Sequence, residues 1–277
     1  MSDSDRNSTL RRDAHRWRYG RSESAAEILA VEEPLEIRLA GRRFTITMRT
    51  PGHDEELVAG FLFAEGFVSS AGEIDEIRRV RGTDGKPEAN ILDAILKVPI
   101  ETLRERLQRN FTMNSSCGLC GKTSIDSIRR RIAAIDGRGS VSAATLSGLS
   151  AAMNAEQPLF ARTGGVHAAA LFDFAGSLKA LREDVGRHNA VDKLVGWAMN
   201  RELLPLADSI VMASGRLSFE IVQKVAAAGA PIVAAVSAPS SLAVELAEEA
   251  GVTLIAFLRG ESFNIYTHPE RVVTSGS

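Results

Sequence analysis

The sequence predicts an α/β protein of two lobes, and three observations carry that prediction. Beyond Gly164-Gly165, short apolar runs alternate with helical patterns of about ten residues, which implies βαβ crossovers and a sheet covered on both faces. Before it, period-two alternation accompanies one amphipathic helix, an α+β texture. Between the two, Asn110–Gly121 (NFTMNSSCGLCG) has no period and collects Asn, Ser and Gly, which reads as an exposed loop. The expected division is a disordered tail over 1–26, an α+β lobe over 27–109, a mobile loop over 110–121, a helical connection over 122–157 and an α/β domain over 158–277.

The elements follow in order. Residues 1–26 are rich in Arg, Ser and Asp without a hydrophobic period, hence the expected tail. LEIRLAGRRFTITMRT, from Leu35, alternates around Ala40-Gly41 as a β-hairpin does. His53 marks a helix start, and Leu57, Phe61, Leu62 and Ala64 keep helical spacing behind Asp54 and Glu55, acids suited to a positive helix N-terminus. Strands are expected at Ile77–Arg81 and Asn90–Val98, and helices at Ile100–Gln108, Lys122–Ile135 and Ala143–Glu156. In the second lobe, strands at Ala168–Phe174, Leu178–Glu183, Ser209–Ala213, Pro231–Val236 and Val252–Phe257 alternate with helices at Val191–Met199, Leu217–Ala228 and Ser240–Ala250. Ligands of such sheets bind beyond the carboxyl ends of the strands. Those ends carry Ala213-Ser214-Gly215-Arg216, Ser237-Ala238-Pro239-Ser240 and Arg259-Gly260-Glu261-Ser262. The arginines there suit bidentate phosphate contact.

Charge and composition narrow the partners. Of 277 residues, 44% are hydrophobic; 33 Lys and Arg face 35 Asp and Glu, leaving a net charge of −2. No global basic field exists to hold nucleic acid or an anionic membrane. No apolar run approaches the roughly 20 residues of a membrane helix. Arg11-Arg12 has no apolar segment behind it, so no secretory signal is expected and the cytoplasm is the expected compartment.

The two cysteines, Cys117 and Cys120, sit three apart in the patternless loop. Two thiols cannot form the disulfide framework of a secreted domain. One C-x-x-C supplies half a zinc site, to be completed by a second subunit. A thioredoxin-type dithiol normally follows a strand directly at a helix N-terminus, and these flanks are Ser, Asn and Gly. Two incidental thiols would be a liability without return. The remaining possibility is a thiolate that carries a group on its sulfur, its pKa lowered by Lys122, attacked and discharged by exchange.

SSCGLCGK, TGGVHAAALFD (Thr163–Asp173), REDVGRHNAVDKLVG (Arg182–Gly196) and FLRGESFNIYTH (Phe257–His268), in this order, resemble the FdhD family of formate dehydrogenase accessory sulfurtransferases. The likeness spans roughly Glu36 to His268. It implies a cytoplasmic sulfur carrier that accepts persulfide sulfur from a cysteine desulfurase. The sulfur passes to the molybdenum bis(molybdopterin guanine dinucleotide) cofactor before insertion into the formate dehydrogenase catalytic subunit. By resemblance Cys117 is the persulfide carrier and Cys120 assists or resolves. The nucleotide-cofactor contact by resemblance falls on Phe257, Leu258, Arg259, Gly260, Glu261 and Ser262; Arg216, at its strand end, and His188, beside Asp184 and Arg187, are added as candidate ligand contacts from the residues themselves. A homodimer is expected, because a pseudo-symmetric bis-pterin ligand suits a two-fold platform.

The resemblance also implies a cytidine-deaminase-like second lobe without the zinc site. Where deaminases carry H-x-E and P-C-x-x-C, His188-Asn189-Ala190 and Pro239-Ser240-Ser241-Leu242-Ala243 lack the Glu and both Cys, so no intrinsic zinc and no deamination are expected. His167 reads equally as a pocket or a turn residue, and Trp17 as packing. From a different class, a noncatalytic cofactor-binding chaperone with a redox-sensing C-x-x-C is the alternative.

Overall fold

The computed structural model describes residues 8–83, 85–97, 102, 135 and 139–274. Cys117, Cys120, the Asn110–Gly121 loop, and the helices expected at Ile100–Gln108 and Lys122–Ile135 (save Thr102 and Ile135) lie outside the described residues.

The first departure from expectation comes at the start of the chain. In place of an irregular tail, β1 (Thr9–Arg18) and β2 (Arg21–Ala30) pair antiparallel along ten residues. The hairpin is hidden in sequence because most of its side chains are exposed on both faces, so no hydrophobic period marks it.

The next hairpin matches its sequence signal. β3 (Glu33–Leu39) and β4 (Arg42–Arg49) turn at Ala40-Gly41, both at positive φ. Such a turn matches the right-handed twist of the flanking strands. With β5 (Ile74–Arg81) and β6 (Pro87–Leu96) they form a four-stranded sheet in the order β4-β3-β6-β5. Helix α1 (Asp54–Ala64) covers one face, closing a core of Leu35, Ile37, Leu57, Leu62 and Leu92.

The second sheet has six strands in the order β13-β12-β11-β10-β8-β9. These are β8 (His167–Asp173), β9 (Leu178–Asp184), β10 (Ser209–Ala213), β11 (Ile232–Ala235), β12 (Thr253–Arg259) and β13 (Ser262–Ile265). Strands β10, β11 and β12 run parallel, joined through helices as their continuous apolar runs require. The flanking pairs are antiparallel.

Both faces are covered. The N-terminal part of this lobe contributes α2 (Ala143–Ala155), whose Leu146, Leu149 and Met153 bury against one face with Phe172, Ile210 and Ile255. The expected helical connection thus supplies a layer of the sheet's own core. A short α3 (Pro158–Thr163) follows, which the six-residue segment was too brief to signal. On the other face lie α4 (Arg187–Met199), α5 (Phe219–Ala227) and α6 (Ser241–Ala250). A two-residue parallel pair, β7 (Val141–Ser142) with β14 (Val272–Val273), ties the end of the described chain to the start of α2.

Helices α1 and α4 join the lobes at unusually close range. A Cβ on Gly60 would stand 1.9 Å from the Asp192 carbonyl oxygen, and one on Gly196 1.9 Å from that of Glu56. Only glycine at both places lets these backbones touch. Beside the crossing, Lys224 is buried at 2.8 Å from Asp192 and 3.7 Å from Glu65. Burial raises the Asp192 carboxyl to about 6 despite that cation.

Candidate functional site

The carboxyl ends of β10, β11 and β12 point to one edge of the six-stranded sheet. Because β8 runs antiparallel to β10, with Ala213 opposite Ala169, His167 at the start of β8 reaches the same edge. Because β9 runs antiparallel to β8, with His167 opposite Asp184, the following turn brings the N-terminus of α4 there too. The topology therefore gathers Ser214–Arg216, Ser237–Ser240, Phe257–Arg259, His167 and Arg187-His188, from five segments of the chain.

Much of the Arg182–Gly196 run builds this place rather than lining it. The Asp184 carboxylate accepts from the Gly186 N–H at 2.8 Å, Asn189 Nδ2 at 2.9 Å and the Thr50 N–H at 3.1 Å. Lys193 Nζ adds an ion pair at 2.6 Å and donates to the Thr50 carbonyl at 2.9 Å. Asn189 also donates to the Met48 carbonyl at 2.7 Å. Asp184 and Lys193 are both essentially inaccessible, so each charge is neutralised by the other and by backbone. This hub fastens the start of α4 to the end of β4. Asn189 is committed to it, and Ala190 is fully buried. Arg182 pairs with Glu56 of α1 at 2.5 and 2.8 Å.

Two residues of the run stay uncommitted to the hub. Arg187 makes no ion pair among the described residues, and its Nε is buried without a hydrogen-bond partner. Its side chain and His167 flank Gly215: a Cβ there would lie 3.3 Å from His167 Nδ1 and 3.6 Å from Arg187 Cβ. His188 Nε2 lies 3.2 Å from Ser218 Oγ and 3.9 Å from Glu220. Burial, reinforced by the Arg187 cation, lowers the His167 imidazole and brings His188 down to about 4. Both rings are thus neutral at pH 7, beside an arginine that makes no ion pair among the described residues.

The Phe257–Ser262 run divides. Phe257 is 40% exposed and adopts φ 55°, a left-handed conformation that is rare and strained for an aromatic residue. It sits where the β12–β13 register shifts, and its N–H bonds the Ser237 carbonyl at 3.2 Å. Arg259 is exposed, with Nε 3.4 Å from the Val236 carbonyl. Leu258 is fully buried in the core, so its side chain cannot meet a ligand. Gly260 makes the turn at φ 56°, and Glu261 and Ser262 line a shallow recess of about 530 Å³ against Ala143, Ala144 and Ser147. Arg216 is exposed and makes no ion pair among the described residues. Ser240 is engaged as the cap of α6, accepting from the Ala243 N–H at 3.3 Å.

A second cavity, of about 530 Å³, lies apart from this cluster along the outer edge of β9 and includes Thr50, His53, Arg162, Arg182 and Lys193. Its polar residues are mostly paired internally. His53 begins α1 in a left-handed conformation without capping it through its side chain. Asp54 is buried between Arg49 and Arg79, at 3.0 Å from each, instead of facing the helix N-terminus from solvent.

Sequence reasoning named Arg187 only as a neighbour of His188 and left His167 open between a pocket and a turn residue. Arg187 stood beside His188 in the same motif, but its missing counter-ion shows only in three dimensions.

Comparison with known proteins agrees with this architecture. A family model described as the FdhD/NarQ family matches residues 30–273. A protein named sulfur carrier protein FdhD from Mycolicibacterium paratuberculosis is 47% identical over 268 residues, covering 95% of this chain and 98% of the relative. One of the same name from Mycobacterium tuberculosis is 49% identical over 253 residues, covering 89% and 92%. The crystal structure of a formate dehydrogenase accessory protein from Desulfotalea psychrophila superposes with a TM-score of 0.74 at 29% identity, covering 96% of this chain and 99% of that one. With the family model spanning most of its length and relatives near half identical end to end, the chain belongs to the FdhD/NarQ family.

Proposed function

We propose that this protein is a sulfur carrier for formate dehydrogenase that moves persulfide sulfur to a molybdenum bis(molybdopterin guanine dinucleotide) cofactor held as cargo at the sheet edge. The observation that carries the reading is the uncompensated positive charge there: Arg187 with its buried, unpartnered Nε, and the exposed Arg216 and Arg259. A guanidinium without a counter-ion is satisfied by a phosphate, to which its planar fork donates in pairs. A nucleotide with a diphosphate bridge supplies those charges, and the exposed Phe257 ring offers a face for a base. The names of the relatives support sulfur carriage and the formate dehydrogenase client.

In this reading the Cys117 thiolate attacks the outer sulfur of a desulfurase persulfide. The donor S–S bond breaks and the donor cysteine leaves as a thiolate. At the cofactor, the Cys120 thiolate attacks Cys117 Sγ. A Cys117–Cys120 disulfide forms, supplying two electrons, and the terminal sulfur leaves as sulfide to the metal. The second lobe is a cytidine-deaminase-like scaffold put to nucleotide holding. The protein works in the cytoplasm as a homodimer; no described helix is long and apolar enough to cross a membrane.

The test pairs loading with binding. After incubation with a desulfurase and cysteine, Cys117 should gain the mass of one sulfur atom, and C117S should not. R187A and R259A should each load normally yet lose about ten- to a hundredfold in guanine-nucleotide affinity, the range for one charge-assisted phosphate contact. A C117A variant that still sustains formate dehydrogenase activity would instead support the noncatalytic chaperone.

A further inference from the structure

We propose that the β1–β2 hairpin is a docking arm whose tip inserts into an acidic, apolar-pitted surface of the formate dehydrogenase polypeptide. This rests on the accessory role proposed above, and it assigns a task to a part of the chain outside the family-model span of 30–273.

The arm is built in a way that its own fold does not reward. An isolated two-stranded hairpin is marginally stable in water. This arm's hydrogen bonds to the rest of the described residues lie at its base, where the Val31 N–H bonds the Ser8 carbonyl at 2.9 Å and Arg162 donates to Thr9 Oγ1 at 3.0 Å. Toward the tip, Arg18 and Arg21 stand directly opposite each other in the ladder. Like charges in that position are destabilising. Neither has an ion pair among the described residues, whereas Arg16 further back is paired with Glu27 at 2.6 Å. Among the described residues no counter-charge stands where these two cations meet.

The neighbouring side chains are equally unpartnered. Trp17 faces Ser22 across the ladder and is 69% exposed; Tyr19 is fully exposed. Tyr19 and Gly20 make the turn with φ 49° and 80°. That geometry favours Asn, Asp or Gly at the position where this chain spends a tyrosine. The tip sequence Arg16-Trp17-Arg18-Tyr19-Gly20-Arg21 thus presents the three residue types that dominate interaction hot spots, with no acidic residue among them. It is a basic, aromatic pole on a molecule of net charge −2. An indole and a phenol at low conformational cost need an apolar recess, and the arginine pair needs carboxylates around it. A folded protein surface supplies both; lipid headgroups and nucleic acid are alternatives that the experiment separates.

The full-length chain is titrated onto immobilised cofactor-free formate dehydrogenase catalytic subunit, alongside W17A/Y19A and R18E/R21E. The charge-reversed pair keeps one like-charge pair in the ladder, so arm stability is matched while the sign of the tip is inverted; unchanged melting temperatures confirm folding. Both variants should bind at least tenfold more weakly, and the R18E/R21E deficit should shrink as salt rises from 50 to 500 mM, a range over which the Debye length falls from about 14 to about 4 Å. Wild-type protein that does not bind, or variants that bind as well as wild type, overturn the proposal. So does arm-dependent cosedimentation with phosphatidylserine vesicles or arm-dependent retention of single-stranded DNA. Arm-dependent dimerisation in sedimentation analysis likewise overturns it, in favour of a second copy as the occupant. Complementation separates the two levels: if wild-type chain fails to restore formate dehydrogenase activity to cells lacking their own carrier, the functional reading fails, whatever the arm binds.

Discussion

Replacing Gly196 by alanine tests how the lobes are held. The new Cβ would meet the Glu56 carbonyl oxygen at 1.9 Å, its carbon at 2.7 Å and the Gly60 nitrogen at 2.9 Å. All three are backbone atoms that cannot rotate aside. Ordinary contact begins at 3.4 Å, so α1 and α4 must part by about 1.5 Å. Overpacking a close-packed core costs about 1–3 kcal/mol, and a backbone-to-backbone clash belongs at or above the upper end. The gain in helix propensity from glycine to alanine returns about 1 kcal/mol. The net expectation is a loss of about 2–3 kcal/mol, or about 5–10 °C in melting temperature for a chain of this length. Gly60→Ala should cost a similar amount, and the double variant less than the sum, since one separation relieves both clashes. Because α4 begins with Arg187 and His188, nucleotide affinity should fall in parallel. Thermal unfolding followed by Trp197 fluorescence reads the stability directly. A G196A protein as stable as wild type, or more so, would refute the close crossing and leave helix propensity as the dominant effect.

Three further outcomes are expected. Lys193→Met should destabilise by about 3–5 kcal/mol, the cost of leaving a buried carboxylate unpaired, and adding Asp184→Asn should recover part of it; urea midpoints check both. Stability should fall with pH through His188: its folded pKa of about 4 lies below its usual 6.5, so the unfolded chain binds the extra proton between those values. That contribution is present above pH 6.5 and lost toward pH 4, weakened because the ring is about a third exposed; Asp192, raised to about 6, slopes the other way, so wild type is compared with H188Q. Nucleotide binding near pH 5.5 should take up protons, because phosphate beside Arg187 offsets the cation that adds to burial in depressing both imidazoles. Calorimetry in two buffers of different ionisation enthalpy detects it, and an equal heat in both would count against His167 and His188 facing the ligand.

How much of this was legible in one dimension depends on the range of the interaction. Local periodicity and turn chemistry sufficed for the β3–β4 turn at Ala40-Gly41, for α1 behind His53, and for the apolar strands at Ser209–Ala213 and Ile232–Ala235, since each is decided by neighbours a few residues away. The four sequence motifs likewise identified the family and carry Arg259 and His188, while the alternation of apolar runs and helices put Arg216 at a strand end. The β1–β2 hairpin escaped because its strands are mostly solvated on both faces and show no hydrophobic period. Tertiary structure alone decided what each charged residue does. Asp184 and Lys193 are spent on Thr50, which lies more than 130 residues earlier, while Arg187, three residues after Asp184, makes no ion pair among the described residues. Whether a charge is neutralised depends on which distant backbone folds against it, and a sequence does not carry that distance. The same holds for Gly60 and Gly196, ordinary helix-interior glycines in the chain and, in the fold, a place where two helix backbones meet at contact distance.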